Sequence, residues 1–267
     1  MSVGCFGYNS YINYLYSSIS ATTEATSFEV ENCIDMRQRN KWRSVGVGTQ
    51  YVTIIGDSQR QIKGIAIFNH NLYDEGDTFQ LQTSNDGFST TLNTYDIAIV
   101  NDSYFVRNSS GYAEEINQYN GYYDFSGSPI TAKDYRIKMI STAVSYYEIG
   151  TIYLYNDYYE NNRNFLKEFI DGKEIGVNLV ETNGGNIITN YNYTRHVFEL
   201  KYEFTNFTQA KLITEELVCN NAIVFYPVGI SGKMYLVSAS STTPVVFDYL
   251  SDTPYYLSYS QKLIEKL

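Results

Sequence analysis

From Tyr51 onward, apolar and polar positions change places every second residue over short runs: YVTII, then IKGIAIF, then TFQLQTS. A period of two sends successive side chains to opposite faces of an extended chain, so these runs predict short β-strands. Turn chemistry separates them at Gly56-Asp57, at Glu75-Gly76-Asp77 and at Asp86-Gly87, where glycine supplies the positive φ of a tight reversal. Ile62, Gly64 and Ala66 alternate with Lys63, Ile65 and Ile67, one face apolar and the other mixed, which suits a strand inside a sandwich. Residues 106–129 have no period and are rich in Gly, Ser, Asn and Tyr, and they are expected to form a long loop. Ordered loops of that length are usually functional. Strands resume over 134–141 and 147–155, and the polar run NDYYENNRN then marks a boundary.

The second half is patterned differently. HVFELKYEF places Phe198, Leu200, Tyr202 and Phe204 against Glu199, Lys201 and Glu203, the signature of a half-exposed strand. In TQAKLITEELV, Ala210, Ile213 and Leu217 share one helical face, with Thr205 or Asn206 placed to cap it, which predicts one short helix near 207–218. NAIVFYPV, KMYLVSA, VVFDYL and YYLSYSQKLI read as further strands, with no internal repeat or heptad among them.

Composition sharpens this picture. Among 267 residues there are 28 Tyr and 14 Phe against 4 Pro, with recurrent β-branched residues, a mixture that favours strands, and the length suits two domains. The expected fold class is all-β with one short helix. The net charge of −10 carries no Lys/Arg cluster, so phosphate backbones and anionic membranes are repelled and no direct nucleic-acid or membrane partner is expected. Cys5, Cys33 and Cys219 stand far apart without CxxC spacing and are expected as reduced structural thiols. The N-terminal stretch lacks a basic and apolar leader pattern, and no run reaches the roughly 18 apolar residues of a span, so a soluble chain made in a cytoplasm is expected. Four Asn-X-Ser/Thr sequons, at Asn101, Asn108, Asn192 and Asn206, fit chance in an Asn-rich chain.

Candidate chemistry changes the picture little. His70 lies between Asn69 and Asn71 where an apolar strand ends, and the expected role is structural, an imidazole bonding backbone groups to fix the turn. His196 opens an alternating strand and is read the same way. Two isolated histidines without HxxxH, HExxH or a cysteine pair give no metal site, and no cofactor is expected. There is no GxSxG elbow, GVGTQ leads into a strand without the lysine of a phosphate loop, and Glu114-Glu115 lie in the expected loop. No enzyme is expected.

One resemblance organises the first half. ENCIDMRQRNKWRS, with Asp35 ahead of Trp42 and Ser44 after an intervening Arg43, followed by YVTI, IKGIAIFNHNL, FQLQTSNDGFS, DYRIKM and EIGTIYLY, resembles the discoidin or galactose-binding-like jelly roll over about residues 28–158. The HNL after the second strand, the R…DG…G pattern of Arg163, Asp171, Gly172 and Gly176, and the strand-then-helix that follows resemble tail-associated structural proteins of bacteriophages across almost the whole chain. The resemblance implies a jelly-roll domain over 1–158 and a smaller β domain over 159–267. It implies a virion component, assembled in a host cytoplasm as a subunit of a tail or neck complex, with other virion subunits as partners in a homo-oligomeric ring or assembly and a glycan as a further possible partner; the alternative is a carbohydrate-binding module for host attachment. It also implies that Trp42 belongs to the core. Tyr112, Tyr119, Tyr122 and Tyr123 are the candidate partner- or ligand-binding residues, because rigid aromatic faces make large contacts at little entropic cost. The loop that carries them is expected to be ordered by a neighbouring subunit.

Overall fold

A computed structural model describes residues 4–10, 12, 16–74, 76–102, 104–107, 113–160, 170–181, 187–204, 222–229, 232–239, 248–249 and 257–266. The helix expected near 207–218, and Tyr112, lie outside the described residues.

The described elements are strands and one 3-10 turn. They are β1 (Cys5–Ser10), β2 (Tyr16–Ala21), the turn Val30–Ile34, β3 (Trp42–Arg43), β4 (Gln50–Ile62), β5 (Gly64–His70), β6 (Thr78–Ser84), β7 (Asn93–Asp96), β8 (Ala98–Asn101), β9 (Tyr104–Arg107) and β10 (Ala113–Ile116). There follow β11 (Tyr119–Asp124), β12 (Ile130–Ile140), β13 (Glu148–Ile149), β14 (Thr151–Glu160), β15 (Ile170–Glu181), β16 (Ile187–Phe204), β17 (Ile223–Tyr226), β18 (Tyr235–Ala239), β19 (Asp248–Tyr249) and β20 (Leu257–Glu265). The chain divides into two units, the first made of Met1–Asn161 with Val224–Tyr235, the second of Asn162–Ile223 with Leu236–Leu267. A late segment therefore returns to the first unit, and β17 pairs with β1 (Phe6 opposite Phe225).

The first unit is an antiparallel jelly-roll sandwich. One sheet runs β17-β1-β14-β5-β11-β8 and the other β2-β4-β12-β6-β7, so the chain crosses between sheets from β4 to β5, β5 to β6, β7 to β8, β11 to β12 and β12 to β14. The core lies where the faces meet. Val52 and Ile54 of β4, Leu81 of β6, and Tyr135, Ile137 and Met139 of β12 pack in one cluster with Ile65 and Ile67 of β5 and Ile152 and Leu154 of β14. Each such buried aliphatic contributes about 1.5–3 kcal/mol over leaving it in water. Between them on β12 the polar Arg136 and Lys138 point outward, where the Arg136 guanidinium lies between the Tyr51 and Phe88 rings. Ala66, Tyr153 and Tyr155, on the other face of the β5-β14 sheet, are buried too, so this sheet is apolar on both faces.

Two features differ from the pattern in the sequence. Gly56-Asp57 is not a turn: β4 continues through it to Ile62, exposed over 57–61, and the reversal comes at Lys63. The stretch 106–129 is not one long loop. It holds the end of β9, β10 paired antiparallel to it, and β11, which is hydrogen-bonded to β5 on one side and β8 on the other within the same chain. The reason the period was hidden is Gly121, whose Cβ, were there one, would stand 2.6 Å from Phe79 and 2.9 Å from Ile97: the core-facing position of β11 has no room for the aliphatic residue that marks a strand. Ordering of β11 is accounted for by its own sheet and needs no neighbouring subunit.

In the second unit, β15, β16, β20 and β18 form an antiparallel sheet with β19 paired to β20. Phe198 and Leu200 of β16 and Leu263 of β20 are buried, whereas Glu199 is exposed, matching the alternation of HVFELKYEF.

Candidate functional site

The strand ends place several loops at one end of the sandwich. Gln50 of β4 pairs with Met139 near the end of β12, Ile140 with Thr78 at the start of β6, and His70 at the end of β5 with Tyr119 at the start of β11. The chain therefore leaves β2 at Ala21, β5 at His70, β8 at Asn101 and β12 at Ile140, and enters β4 at Gln50 and β11 at Tyr119, all at this end.

Two tyrosines meet there. Tyr73, 52% exposed, stacks on Tyr119 with ring centroids 5.7 Å apart and planes 26° from parallel. The turn that carries Tyr73 is built by carboxylates acting on backbone amides. Asp77 Oδ2 accepts from the N–H groups of Tyr73 and Asp74 (both 3.0 Å), and Asp74 Oδ1 accepts from Gly76 N–H (3.1 Å), the Asx geometry these residues favour. The Tyr73 hydroxyl reaches the Ala143 carbonyl at 3.4 Å. Tyr119 is set by its strand, opposite Asn101 of β8. Asn101 Nδ2 donates to Asn117 Oδ1 (3.2 Å), and Gln118 Nε2 donates to Gln38 Oε1 (3.2 Å). Asn101 and Asn117 are exposed. Val45 and Val47, both exposed, stand on the 44–49 loop, which is held by Ser44 Oγ donating to Gly46 O (2.7 Å) and Tyr147 Oη donating to Gly48 O (3.0 Å).

The other residues singled out in the sequence do not join this surface. Tyr123 packs on the core beside Tyr95 and Phe125, centroids 5.3 and 4.5 Å away. Tyr122 points to the opposite face of its strand, edge-on to Tyr226 at 6.4 Å. Trp42 is wholly buried in the core cluster, with its Nε1–H donated to the Thr23 carbonyl (3.1 Å). His70 is buried beside Phe79, across the strands from Tyr119. Its Nδ1 accepts from Leu72 N–H (3.2 Å), and its ring centroid lies 4.7 Å from that of Phe79 and 6.4 Å from that of Tyr119. In the second unit His196 Nδ1 lies 2.9 Å from Asp171 Oδ1, and its ring stacks on Phe198. Among the described residues, no three of His, Cys, Asp or Glu gather as a metal site. Tyr73 is the site residue that the periodicity did not reveal; its only mark in the sequence is a large aromatic ahead of the turn residues DEGD, where nothing apolar follows it.

Burial gives His70 an acid-sensitive role in stability. Desolvation is the largest influence and holds its imidazole down to about 3, with the Lys41 charge pushing the same way. On unfolding the imidazole returns to an ordinary value of about 6.5 and takes up a proton that the folded state refuses. Its contribution is thus fully present above about pH 6.5 and is lost, at up to about 1.4 kcal/mol per pH unit, as pH falls toward the folded value. Urea midpoints measured from pH 7 to pH 5 are expected to decline more steeply in the native chain than in His70→Asn. Equal slopes would show that the imidazole is protonated within the fold.

No protein-family model and no curated protein matches the chain. Solved structures do align with it at low identity. A chitosan-binding module 1 from a chitosanase/glucanase of Paenibacillus sp. IK-5 is 18% identical over 55% of this chain and 99% of that one, with a TM-score of 0.37. The family 32 carbohydrate-binding module of NanJ from C. perfringens, solved in complex with galactose, is 17% identical over 53% of this chain and 93% of that one, with a TM-score of 0.35. CBM32-3 from a family 31 glycoside hydrolase from Clostridium perfringens is 17% identical over 56% of this chain and 100% of that one, again at 0.35.

Proposed function

We propose that the first unit is a non-catalytic glycan-binding module whose ligand rests on the Tyr73–Tyr119 pair. The observation that carries this reading is the stacked tyrosine pair, with Tyr73 exposed, beside the exposed carboxamide of Asn101 across the strands from Tyr119 and that of Asn117 bonded to it. A sugar ring offers a C–H face that packs on a flat aromatic ring, and its hydroxyls match carboxamides, which both donate and accept. An aromatic platform with a few convergent polar groups is the usual composition of a small-molecule site. The net charge of −10 favours neutral glycans over acidic ones.

The test is a glycan array with the full chain, followed by titration of the strongest neutral glycan. Tyr73→Ala is expected to weaken binding about tenfold, equivalent to about 1.4 kcal/mol of lost contact. Binding unchanged in both Tyr73→Ala and Tyr119→Ala would move the site elsewhere.

The finer reading, a virion component in a phage tail or neck ring, is supported by the order of patterns along the sequence. It predicts that the chain co-purifies with intact particles, and its absence from purified particles would remove it. The two readings are compatible, since a particle-borne glycan module would serve attachment to a host surface.

A further inference from the structure

Three consecutive side chains at the end of β5 each hold a different part of the loop end. Asn69 has φ of 56°, a left-handed conformation that asparagine tolerates better than most residues. Its N–H donates to Asn120 Oδ1 (3.0 Å), and its Nδ2 donates to the carbonyl of Gln38 (3.0 Å), the residue that receives Gln118. Asn71 reaches the opposite way, with Nδ2 donating to Tyr146 O (2.7 Å) and Oδ1 accepting from Glu148 N–H (2.9 Å). Between them His70 turns inward, and because its Nδ1 accepts from Leu72 N–H the ring proton belongs on Nε2.

The consequence falls on Tyr73. The backbone entering Tyr73 is pinned at Leu72 by the imidazole, and the Tyr73 N–H is pinned at the next step by Asp77. The Leu72 side chain is buried beside this anchor. The same imidazole sits cross-strand from Tyr119, with its ring tilted 31° to the tyrosine ring. One buried group thus touches the carriers of both rings in the platform.

We propose that His70 is a positioning residue for the tyrosine pair: its Nδ1, on a residue cross-strand from Tyr119, fixes the amide that leads into Tyr73. The residue reaches no ligand itself; its role in binding rests on the glycan reading of the site. A histidine serving only to fill space would be replaced without consequence by another ring of similar size. A histidine acting through its acceptor would be replaced by asparagine, whose Oδ1 stands about where Nδ1 does, and not by phenylalanine.

The experiment uses the full chain with His70→Phe, His70→Asn and Tyr73→Ala, read in two ways. Without ligand, NMR follows the nuclear Overhauser contact between the Tyr73 and Tyr119 rings and the exchange protection of the Leu72 amide. With ligand, calorimetry gives the affinity for galactose, whose axial hydroxyl leaves one ring face largely C–H. His70→Phe is expected to lose the ring contact, to lower Leu72 protection about tenfold, and to weaken galactose binding as much as Tyr73→Ala does, with no further loss in the double variant. His70→Asn is expected to keep Leu72 protected and to bind within about threefold of the native chain. A His70→Phe chain with the ring contact and Leu72 protection intact overturns the proposal, as does loss of both in His70→Asn to the extent seen in His70→Phe. If the native chain binds neither galactose nor any neutral glycan on the array while the two variants still separate in the NMR readouts, the positioning role stands and the glycan reading loses its support.

Discussion

Replacing Trp42 by alanine is expected to destabilise the first unit by about 3–5 kcal/mol, the range for deleting a large aromatic from a packed core. The side chain is wholly buried among residues from both sheets, so the vacated volume has walls on every side and cannot close by a surface collapse. Two further losses add to the cavity. The Thr23 carbonyl loses its donor, and the short pairing of Trp42 with Ile149 loses the side chain that anchors it. Next along that ladder, Arg43 pairs with Glu148, whose carboxylate also takes Lys41 at 3.1 Å, so loosening the pairing disturbs a partly buried ion network. Trp42→Phe, which keeps most of the ring and loses the indole N–H, is expected to cost less than half as much. Urea denaturation followed by far-ultraviolet circular dichroism measures both, since the single tryptophan cannot report on its own removal. A Trp42→Ala chain as stable as the native one would mean that the indole contributes nothing to the core that encloses it. Domain stabilities are about 5–15 kcal/mol, so a loss of this size leaves a marginal fold.

What could be read from the sequence follows a physical line. β5, β12, β14 and the middle of β16 announce themselves because their buried positions hold Ile, Leu, Val, Met or Phe at a spacing of two, as with Ile65 and Ile67 or Phe198 and Leu200. β11 does not, because its inward position is Gly121 and its buried neighbour is Asn120, an amide placed to receive the Asn69 N–H. A segment whose tight packing forbids a side chain carries no hydrophobic signal, and it reads as a loop. β15 was missed for a related reason: IDGKEIGVNLVE carries glycines at 172 and 176 and has a register shift at Gly176 and Val177. At the site, Tyr119 was legible as an aromatic candidate, but its partner was not, since Tyr73 and Tyr119 lie far apart in sequence and meet only because β5 and β11 are neighbours. The return of Val224–Tyr235 to the first unit was illegible for the same reason: local pattern shows that a strand exists and not which sheet receives it.

Gly64→Ala is expected to be the second severe substitution, although it adds only one methyl group. Gly64 sits directly across from Tyr155 in the β5–β14 ladder, and a Cβ built there would collide with the Tyr155 hydroxyl and its Cζ. The tyrosine ring also covers Gly7 of β1, where a Cβ would meet three ring atoms at 2.7–2.9 Å. The two glycines on β5 and β1 thus form a bed for one aromatic side chain, which is wholly buried and whose hydroxyl lies 3.4 Å from that of Tyr226. Overpacking of this kind costs about 1–3 kcal/mol, and separating the hydroxyl from its partner adds roughly 1–3 kcal/mol for a buried polar group left alone. The origin of the penalty can be isolated by a double-mutant cycle with Tyr155→Leu, which removes the atoms that the new methyl meets. If the collision is the cause, Gly64→Ala in the Tyr155→Leu background costs at least 1 kcal/mol less than in the native chain, a coupling larger than that between distant sites. Additive losses in the cycle would place the penalty in the backbone of Gly64 instead, and the pairing of tyrosine with glycine would then have no energetic part in holding β5 against β14.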